Sequence, residues 1–382
     1  MSFAVQPEAL VKFAALVERN GINLSLSNVH LNAETNLGNT DGLWLQHLVD
    51  AHVPTVDRVS SSLYQAFHVM GSSADELVRT ADHYRDVDHA AEANLDATYP
   101  ASPRPPIEAP RGVPTTRDGQ QGPFEAHAGD DFKDPMAYLT DPGTPADFSD
   151  PMALFNTLGD YLSPTWWINQ VLNDTIGVNP MEFVNQYLVG DWQGFARCGM
   201  VWEQLSKATG AIGDNVNNGL RWLAAEWQGQ AGDAAVYYFD YLGKSLLSHR
   251  DVFQVLHDKY REIARDVWLA SKTLADIIKM IMDLVMVAGL AVLAGWALSW
   301  TGVGAGISWG VAAWECTQIV KLWGEASSLI STIQTAITGF VAFLTSPDAV
   351  ALREITPLPV PAIDYNHPGV APEKARPRQK GE

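Results

Sequence analysis

Apolar residues in the first hundred positions repeat with helical spacing. A seam that recurs every seven residues consists of Val56, Leu63, Met70, Leu77 and Tyr84. This spacing is typical of a helix that packs along another helix. An earlier helix is expected to begin near Pro7 and Glu8, and a polar, Asn-rich stretch at about 20–42 separates the two. The pattern predicts a helical hairpin over residues 1–98, which needs a partner because it buries only one face.

A second helical hairpin is predicted over residues 151–275. Its first helix has an apolar face formed by Trp202, Leu205, Ile212, Val216, Leu220 and Leu223. Its second helix has one formed by Tyr238, Leu242, Leu246, Phe253, Leu256, Tyr260, Ile263 and Val267. The short segment EWQGQAGDAA lies between them, so we expect two antiparallel helices joined by a tight turn.

Residues 276–345 are the most apolar region and predict a third hairpin. No charged residue occurs between Leu284 and Ala313, which is longer than the roughly 20 residues that cross a bilayer. The glycines of TGVGAG are expected to break this region into two helices. Two interpretations stay open: a hairpin buried in the bundle or an oligomer, and a membrane segment. The candidate membrane residues are Leu284, Val285, Leu290, Leu293, Trp296 and Trp300.

Two segments lack helical periodicity. Residues 99–150 contain YPASPRPPIEAPRGVP and are expected to form an extended linker. Within it DFKDPMA returns as DFSDPMA, which predicts two short helical turns that open at Asp-Pro steps. Residues 346–382 are Pro-rich and predicted to be a disordered tail. Since no region alternates like a strand with hairpin turns, the predicted fold class is all-α.

Composition excludes several classes of function. The formal net charge of −19 disfavours nucleic acid as a partner, along with electrostatic docking on anionic lipid. Two cysteines are too few for a disulfide framework. The N-terminal segment lacks the basic region and uninterrupted apolar core of a secretory signal peptide. We therefore expect the protein either to stay in the cell or to leave by another route.

The sequence offers little support for catalysis. It contains no HExxH, CxxC, GxGxxG or Walker-type motif, so we predict a non-enzymatic protein without a cofactor or metal. One minor alternative is a metal half-site, because Asp82, Asp86 and His89 would share a face if their segment were one helix.

The first hairpin resembles a known family. FAVQPEAL (3–10) and ADHYRDVDHA (81–90) are similar to segments of the small ESX secretion-associated proteins, which type VII secretion exports in actinobacteria. In that family a Val-x-Pro-Glu-x-Leu opening leads a two-helix hairpin, and an Ala-x-x-Tyr-x-x-x-Asp segment closes it as a secretion signal. The resemblance implies that Tyr84 and Asp88 form this signal.

The second hairpin resembles the WXG100-like export domains of secreted proteins and polymorphic toxins. The segments that carry this likeness are GDWQGFARCGMVWEQL (190–205) and LAAEWQGQAGDAA (223–235). The resemblance implies that Trp227 and Gly229 form the helix-turn motif, while Trp192, Gly194 and Trp202 have secondary roles in turns and packing. The first hairpin departs from the pattern, because its loop offers Gly42-Leu43-Trp44 instead of Trp-x-Gly.

Both motifs are short, so position must select among their matches. Tyr-x-x-x-Asp also occurs at Tyr187 and Asp191, but only Tyr84 ends a long heptad helix beside the linker. Trp-x-Gly starts at 192, 227 and 300, but only Trp227 joins two matched amphipathic helices. In type VII systems the two motifs lie on partner hairpins and form a composite signal. We expect the two hairpins of this chain to pack as an internal pseudo-heterodimer.

These resemblances imply a type VII secretion substrate, secreted or associated with the cell envelope. In the membrane interpretation of the apolar hairpin, that hairpin is membrane-active or pore-forming. The implied partners are the secretion ATPase or a chaperone, a small WXG100 or ESX protein, a membrane, and further copies of the chain. Two other interpretations are a chaperone or scaffold that stays with the secretion machinery, and an integral membrane protein with helical cytoplasmic domains.

Overall fold

The fold is all-α, as predicted, apart from one pair of two-residue strands. The computed structural model describes residues 3–38, 40–107, 129–143, 145, 148–155, 166–297, 303–345 and 359–370. The first part contains β1 (Ala4–Val5), α1 (Pro7–Glu34), α2 (Leu43–Asp86), α3 (His89–Asp96) and a 3-10 turn (Met136–Tyr138). The second part contains α4 (Trp166–Thr175), α5 (Pro180–Leu188), α6 (Trp192–Glu226), β2 (Trp227–Gln228), α7 (Gln230–Ala297) and α8 (Val303–Thr345).

Two helical hairpins pack against each other within one chain. Helices α1 and α2 form the first hairpin, α6 and α7 form the second, and α1 lies along α6. Helix α8 folds back over α7 and also contacts α2. The heptad seam on α2 is buried from Val56 to Tyr84, so the face that the pattern predicted is a packed face of the helix.

A ladder of polar contacts joins α2 to α7 in antiparallel register. His52 Nδ1 lies 2.7 Å from Tyr260 Oη, Ser62 Oγ lies 2.7 Å from His249 Nε2, and Ser73 Oγ lies 3.1 Å from Tyr238 Oη. Successive rungs are ten or eleven residues apart on each helix. Eleven residues make about three helical turns, so the rungs share one face of each helix. One more step of eleven residues takes α2 to Tyr84 and takes the other chain segment to Trp227.

Helix α1 extends further than its sequence pattern suggested. The Asn-rich stretch from residue 20 was expected to be a loop, but the helix continues to Glu34. Polar residues inside it are satisfied by the helix itself, since Asn20 Nδ2 donates to Leu16 O and Ser27 Oγ donates to Asn23 O. Because these bonds allow polar side chains to be buried, the predicted end of this helix was wrong.

Helix α7 runs without a break across the predicted domain boundary at 275/276. Its 68 residues extend from Gln230 to Ala297. Leu274, Ile278 and Val285 are buried at helical spacing across that point, and no glycine or proline interrupts the period there. The apolar hairpin is therefore the continuation of the second hairpin with α8 folded back on it, rather than a separate unit.

The described parts of the predicted linker dock on the bundle. Asp131 accepts hydrogen bonds from Arg19 Nε at 2.8 Å and from Asn20 Nδ2 at 2.7 Å. Lys133 N donates to Asn215 Oδ1 at 2.8 Å. The repeated Asp-Pro steps open turns as predicted, with Asp134 accepting from Met136 N and Asp150 from Met152 N.

The predicted disordered tail contains an ordered segment. Within residues 359–370, Val360, Tyr365 and His367 are at most 5% exposed. Burial of two aromatic side chains offsets the entropy of fixing a short extended segment. The prediction of disorder over the whole tail was therefore wrong for these residues.

Candidate functional site at the junction of the two hairpins

The turn between α6 and α7 is held by the N-terminal segment. Strand β1 pairs antiparallel with β2, with Val5 opposite Trp227 and Ala4 opposite Gln228. Gln6 N donates to Glu226 O at 3.1 Å. Trp227 is fully buried. The Trp-Gln-Gly turn is thus a joint between the two hairpins, and both supply its backbone partners.

Asp96, from the end of α3, caps the start of α7. Its carboxylate accepts from the backbone N–H groups of Gln230 at 2.8 Å and Ala231 at 2.9 Å. Two of the otherwise unpaired amides of the helix start are satisfied in this way, next to the positive end of the helix dipole. Gly229 lies beside this cap with φ +123°, a backbone conformation that residues other than glycine rarely adopt.

Tyr84 and Trp227 meet at this joint. Their ring centroids lie 6.0 Å apart at 81°, an edge-to-face contact. Phe3 also contacts Tyr84, with ring centroids 6.0 Å apart at 56°. Tyr84 is 1% exposed, and burial raises the pKa of its hydroxyl far above the usual value. We call Phe3, Tyr84, Asp96, Trp227 and Gly229 the junction.

Asp88 lies outside this packed cluster. Helix α2 ends at Asp86, and Asp88 is the exposed N-cap of α3, where it accepts from Ala90 N and Ala91 N. The two candidate signal residues therefore belong to different helices. Tyr84 contributes a buried ring, whereas Asp88 presents its carboxylate to solvent beside the junction.

The same helix break removes the predicted metal face. Asp82 and Asp86 lie on α2 and His89 begins α3, so the three residues do not share one helix. Asp82 instead pairs with Arg85 at 2.6 Å. Within the described residues, no group of three or more His, Cys, Asp or Glu is placed to hold a metal ion.

Trp192, Gly194 and Trp202 lie far along α6 from the Trp227 turn. Trp192 opens α6, is fully buried, and donates from Nε1 to Leu188 O at 2.8 Å. Gly194 lies against Asp191, whose carboxylate accepts its N–H at 2.7 Å as the cap of α6. Trp202 is buried between the two helices, 5.9 Å from the ring of Phe253. These three residues serve the packing of α6 and do not join the junction.

The candidate membrane residues have mixed surroundings. Val285 is fully buried and Leu290 is 59% exposed, while Leu284 is partly buried. Trp300 and the side chains of Leu293 and Trp296 lie outside the described residues. Among described residues, one helical stretch is long and apolar enough to cross a membrane: Val311–Thr345 in α8, of mean hydropathy 1.5 and 22% buried.

Two residues of the site had no recognisable pattern in the sequence. Asp96 caps a helix that begins more than a hundred residues later, so no local capping signature marks it. His367 comes from the tail, and its Nε2 lies 2.7 Å from Tyr84 Oη. A Tyr-Asn-His sequence between prolines was the only sign that an anchored segment exists there.

The chemistry of the junction is that of packing and hydrogen bonding. Burial lowers the pKa of His367 to about 4, with a further contribution from the nearby His83. At neutral pH the ring of His367 and the hydroxyl of Tyr84 are therefore both uncharged. The aromatic side chains of the junction are thus uncharged, and the carboxylate of Asp96 lies near Tyr84. No family model, curated protein or solved structure matches this chain.

Proposed function

We propose that this chain is a non-enzymatic substrate of type VII secretion, in which the junction of the two hairpins is the export signal. The observation that supports this most strongly is the contact between the rings of Tyr84 and Trp227. The sequence resemblance assigns the former to a tyrosine signal and the latter to a Trp-x-Gly turn. The two motifs thus lie next to each other in one chain, as a composite signal requires.

Asp88 supplies the accessible part of this signal. Its carboxylate is exposed and caps α3. Recognition by the secretion machinery therefore involves the charge of Asp88 and the geometry that the buried Tyr84 maintains.

An export assay with matched variants tests the proposal. The tagged chain is expressed in an actinobacterial host that has a type VII system, and the culture filtrate is compared with the cell lysate. Asp88→Asn keeps the capping oxygen but removes the charge, because Asn caps helices about as well as Asp. We expect this variant to be exported less than the wild type.

The control is Asp191→Asn, in the second Tyr-x-x-x-Asp match. Asp191 also caps a helix, through Gly194 N, so the chemical change and the capping role are matched. Its other carboxylate oxygen also accepts from Gly38 N at 3.2 Å. We expect its export to equal that of the wild type. Undiminished export of the Asp88 variant would contradict the signal assignment.

A second candidate function is membrane activity of the α7–α8 hairpin. Apolar side chains on this part of the molecule are at least 40% exposed at Met286, Val287, Leu290, Val311, Trp314 and Val320. Exposed apolar surface of this kind is typical of a contact with a membrane or another protein. The absence of charged residues between Leu284 and Ala313 favours a membrane over another protein as the contact of this hairpin.

Flotation with liposomes tests this candidate. We expect the wild type to float with vesicles, and the Leu290→Asp and Trp314→Asp variants to remain in the soluble fraction. Val29 on α1 is 64% exposed, so Val29→Asp adds the same charge at a distant exposed apolar position and should float normally. Absence of the wild type from the lipid fraction across acidic and neutral pH would eliminate the candidate.

A further inference from the structure

Residues 359–370 cover the junction. Val360, Tyr365 and His367 are at most 5% exposed, whereas Ile363, which lies between Val360 and Tyr365, is 70% exposed. The segment therefore has one face against the bundle and one face toward solvent. We call residues 359–370 the strap.

Side chains of the bundle hold the backbone of the strap. Tyr365 N donates to Ser73 Oγ at 3.0 Å, and His367 N donates to Glu76 Oε1 at 3.0 Å. The hydroxyl of Tyr238 donates to Ile363 O at 3.1 Å. The strap has no assigned helix or strand. It can therefore leave without breaking a helical hydrogen bond of α2 or α7.

The aromatic rings of the strap lie on the two motif residues. The His367 ring stacks on Trp227 at 17° with centroids 6.1 Å apart, and Tyr365 meets Trp227 edge to face at 6.4 Å. His367 Nδ1 accepts the N–H of Gly369, so the neutral ring carries its proton on Nε2. That proton is donated to Tyr84 Oη at 2.7 Å.

We propose that the strap is a removable cover which keeps the junction closed, and that Tyr84 and Trp227 become accessible to a partner only when the strap leaves. The strap occupies the junction as an intramolecular ligand, with an extended Tyr-x-His segment as its recognition element. The claim that the strap regulates export rests on the proposed export function. The covering of Tyr84 is a separate claim and is tested without any export.

Chemical modification of Tyr84 measures whether the strap covers it. The full chain is treated with tetranitromethane, and nitration of each tyrosine is followed by mass spectrometry. In the Tyr365→Ala/His367→Ala double variant, we expect the nitration rate of Tyr84 to rise about tenfold or more, because local opening sets the rate of access. Ile363→Ala changes an exposed strap residue and should leave the rate unchanged.

Circular dichroism shows whether the double variant keeps its helices. If it loses them, His367→Ala alone replaces it, since this variant removes the bond to Tyr84 but keeps the Tyr365 ring. A synthetic peptide of residues 359–370 is then added to the folded variant. We expect it to bind and restore the protection of Tyr84, whereas the same peptide with both Tyr365 and His367 replaced by Ala should not.

Two nitration results would overturn the proposal. One is rapid nitration of Tyr84 in the wild type, since the strap would then not cover it. The other is an unchanged rate in a folded variant whose strap amides exchange freely with solvent, since some other element would then close the junction.

Export separates the regulatory claim from the proposed function. A strap variant that is folded and reactive at Tyr84 should be exported at least as fast as the Ile363→Ala control. Slower export of such a variant would overturn the regulatory claim. Normal export of Asp88→Asn would instead refute the export signal and would leave the nitration result intact.

Discussion

The carboxylate of Asp96 fills the space that a side chain at Gly229 would require. A Cβ atom at Gly229 would lie 2.6 Å from Asp96 Oδ2, and the backbone there has φ +123°. The glycine of the Trp-Gln-Gly turn is thus required twice, once by its own backbone conformation and once by the cap that α3 places on α7. The end of the first hairpin and the start of α7 are fitted to each other at this point.

Gly229→Ala should therefore destabilise the fold. Strain at a positive φ and the displaced cap together cost on the order of 2–4 kcal/mol. The measurement is the free energy of unfolding in urea. Gly324 on α8 is the control, because a Cβ there meets nothing within 4 Å. Gly324→Ala should stabilise by up to about 1 kcal/mol, as usual within a helix. Equal effects of the two variants would contradict the account of the turn.

The polar ladder between α2 and α7 predicts different effects for two adjacent serines. His249 Nδ1 bonds to Ser245 O, so its Nε2 accepts the hydroxyl proton of Ser62. Ser62→Ala should cost about 1 kcal/mol of unfolding free energy because it leaves this buried nitrogen without a donor. Ser61 is exposed, and Ser61→Ala should change stability by less than about 0.5 kcal/mol. A loss at Ser61 as large as at Ser62 would argue against the ladder.

The docking of the linker predicts a cost for removing one carboxylate. Asp131 bonds to both Arg19 and the buried Asn20. Asp131→Ala should lower the free energy of unfolding by about 1–2 kcal/mol and should speed proteolysis of the neighbouring linker. Asp131→Asn keeps an acceptor for Asn20, so its loss should be smaller. Wild-type stability and protease resistance in the Ala variant would show that the linker is not docked in solution.

The strap should weaken in acid. The closed strap keeps His367 neutral down to a pKa of about 4, because its ring is buried and lies near His83. The released ring takes up a proton below its ordinary pKa of about 6.5. The contribution of this residue to stability is therefore fully present above pH 6.5 and is lost as the pH falls toward 4. The titratable groups next to the ring are His83 and Tyr84 on α2 and Tyr99 after α3. The carboxylate of Glu76 accepts the backbone N–H of His367.

The largest expected loss is about 3 kcal/mol, since each pKa unit corresponds to about 1.4 kcal/mol. The control is His367→Gln, which retains a side-chain N–H donor but does not titrate. The difference in unfolding free energy between this variant and the wild type should be constant above pH 6.5. Below that pH it should shift in favour of the variant. A constant difference from pH 7.5 to pH 4.5 would show that the His367 ring is not held neutral.

Much of the architecture was predictable because it rests on apolar periodicity. The seam that ends at Tyr84 and the faces on either side of Trp227 were read correctly, and both hairpins follow from them. Apolar spacing identifies a buried face without knowledge of the partner. The resemblance led us to expect the two motifs on neighbouring hairpins. The contact between the rings of Tyr84 and Trp227 results from the antiparallel register of α2 and α7.

The errors concern residues whose role depends on a distant partner. Asn20 appeared to belong to a loop, yet its bonds to Leu16 O and Asp131 allow it to be buried in a helix. His367 appeared to belong to a disordered tail, yet two hydrogen bonds and a stacked indole fix it. A single anchor residue produces no periodic pattern. Such contacts cannot be predicted until the fold has brought the two segments together.

The length of α7 sets the distance between the two ends of the molecule. At 1.5 Å per residue, its 68 residues extend over about 100 Å. The helix starts beside Trp227 and its other end lies in the apolar hairpin, so the junction and the far end of that hairpin are about 100 Å apart. A protein that binds at the junction would leave the far end of the apolar hairpin free to contact a second surface. The proposed export signal and the proposed lipid contact therefore lie on separate surfaces of one molecule.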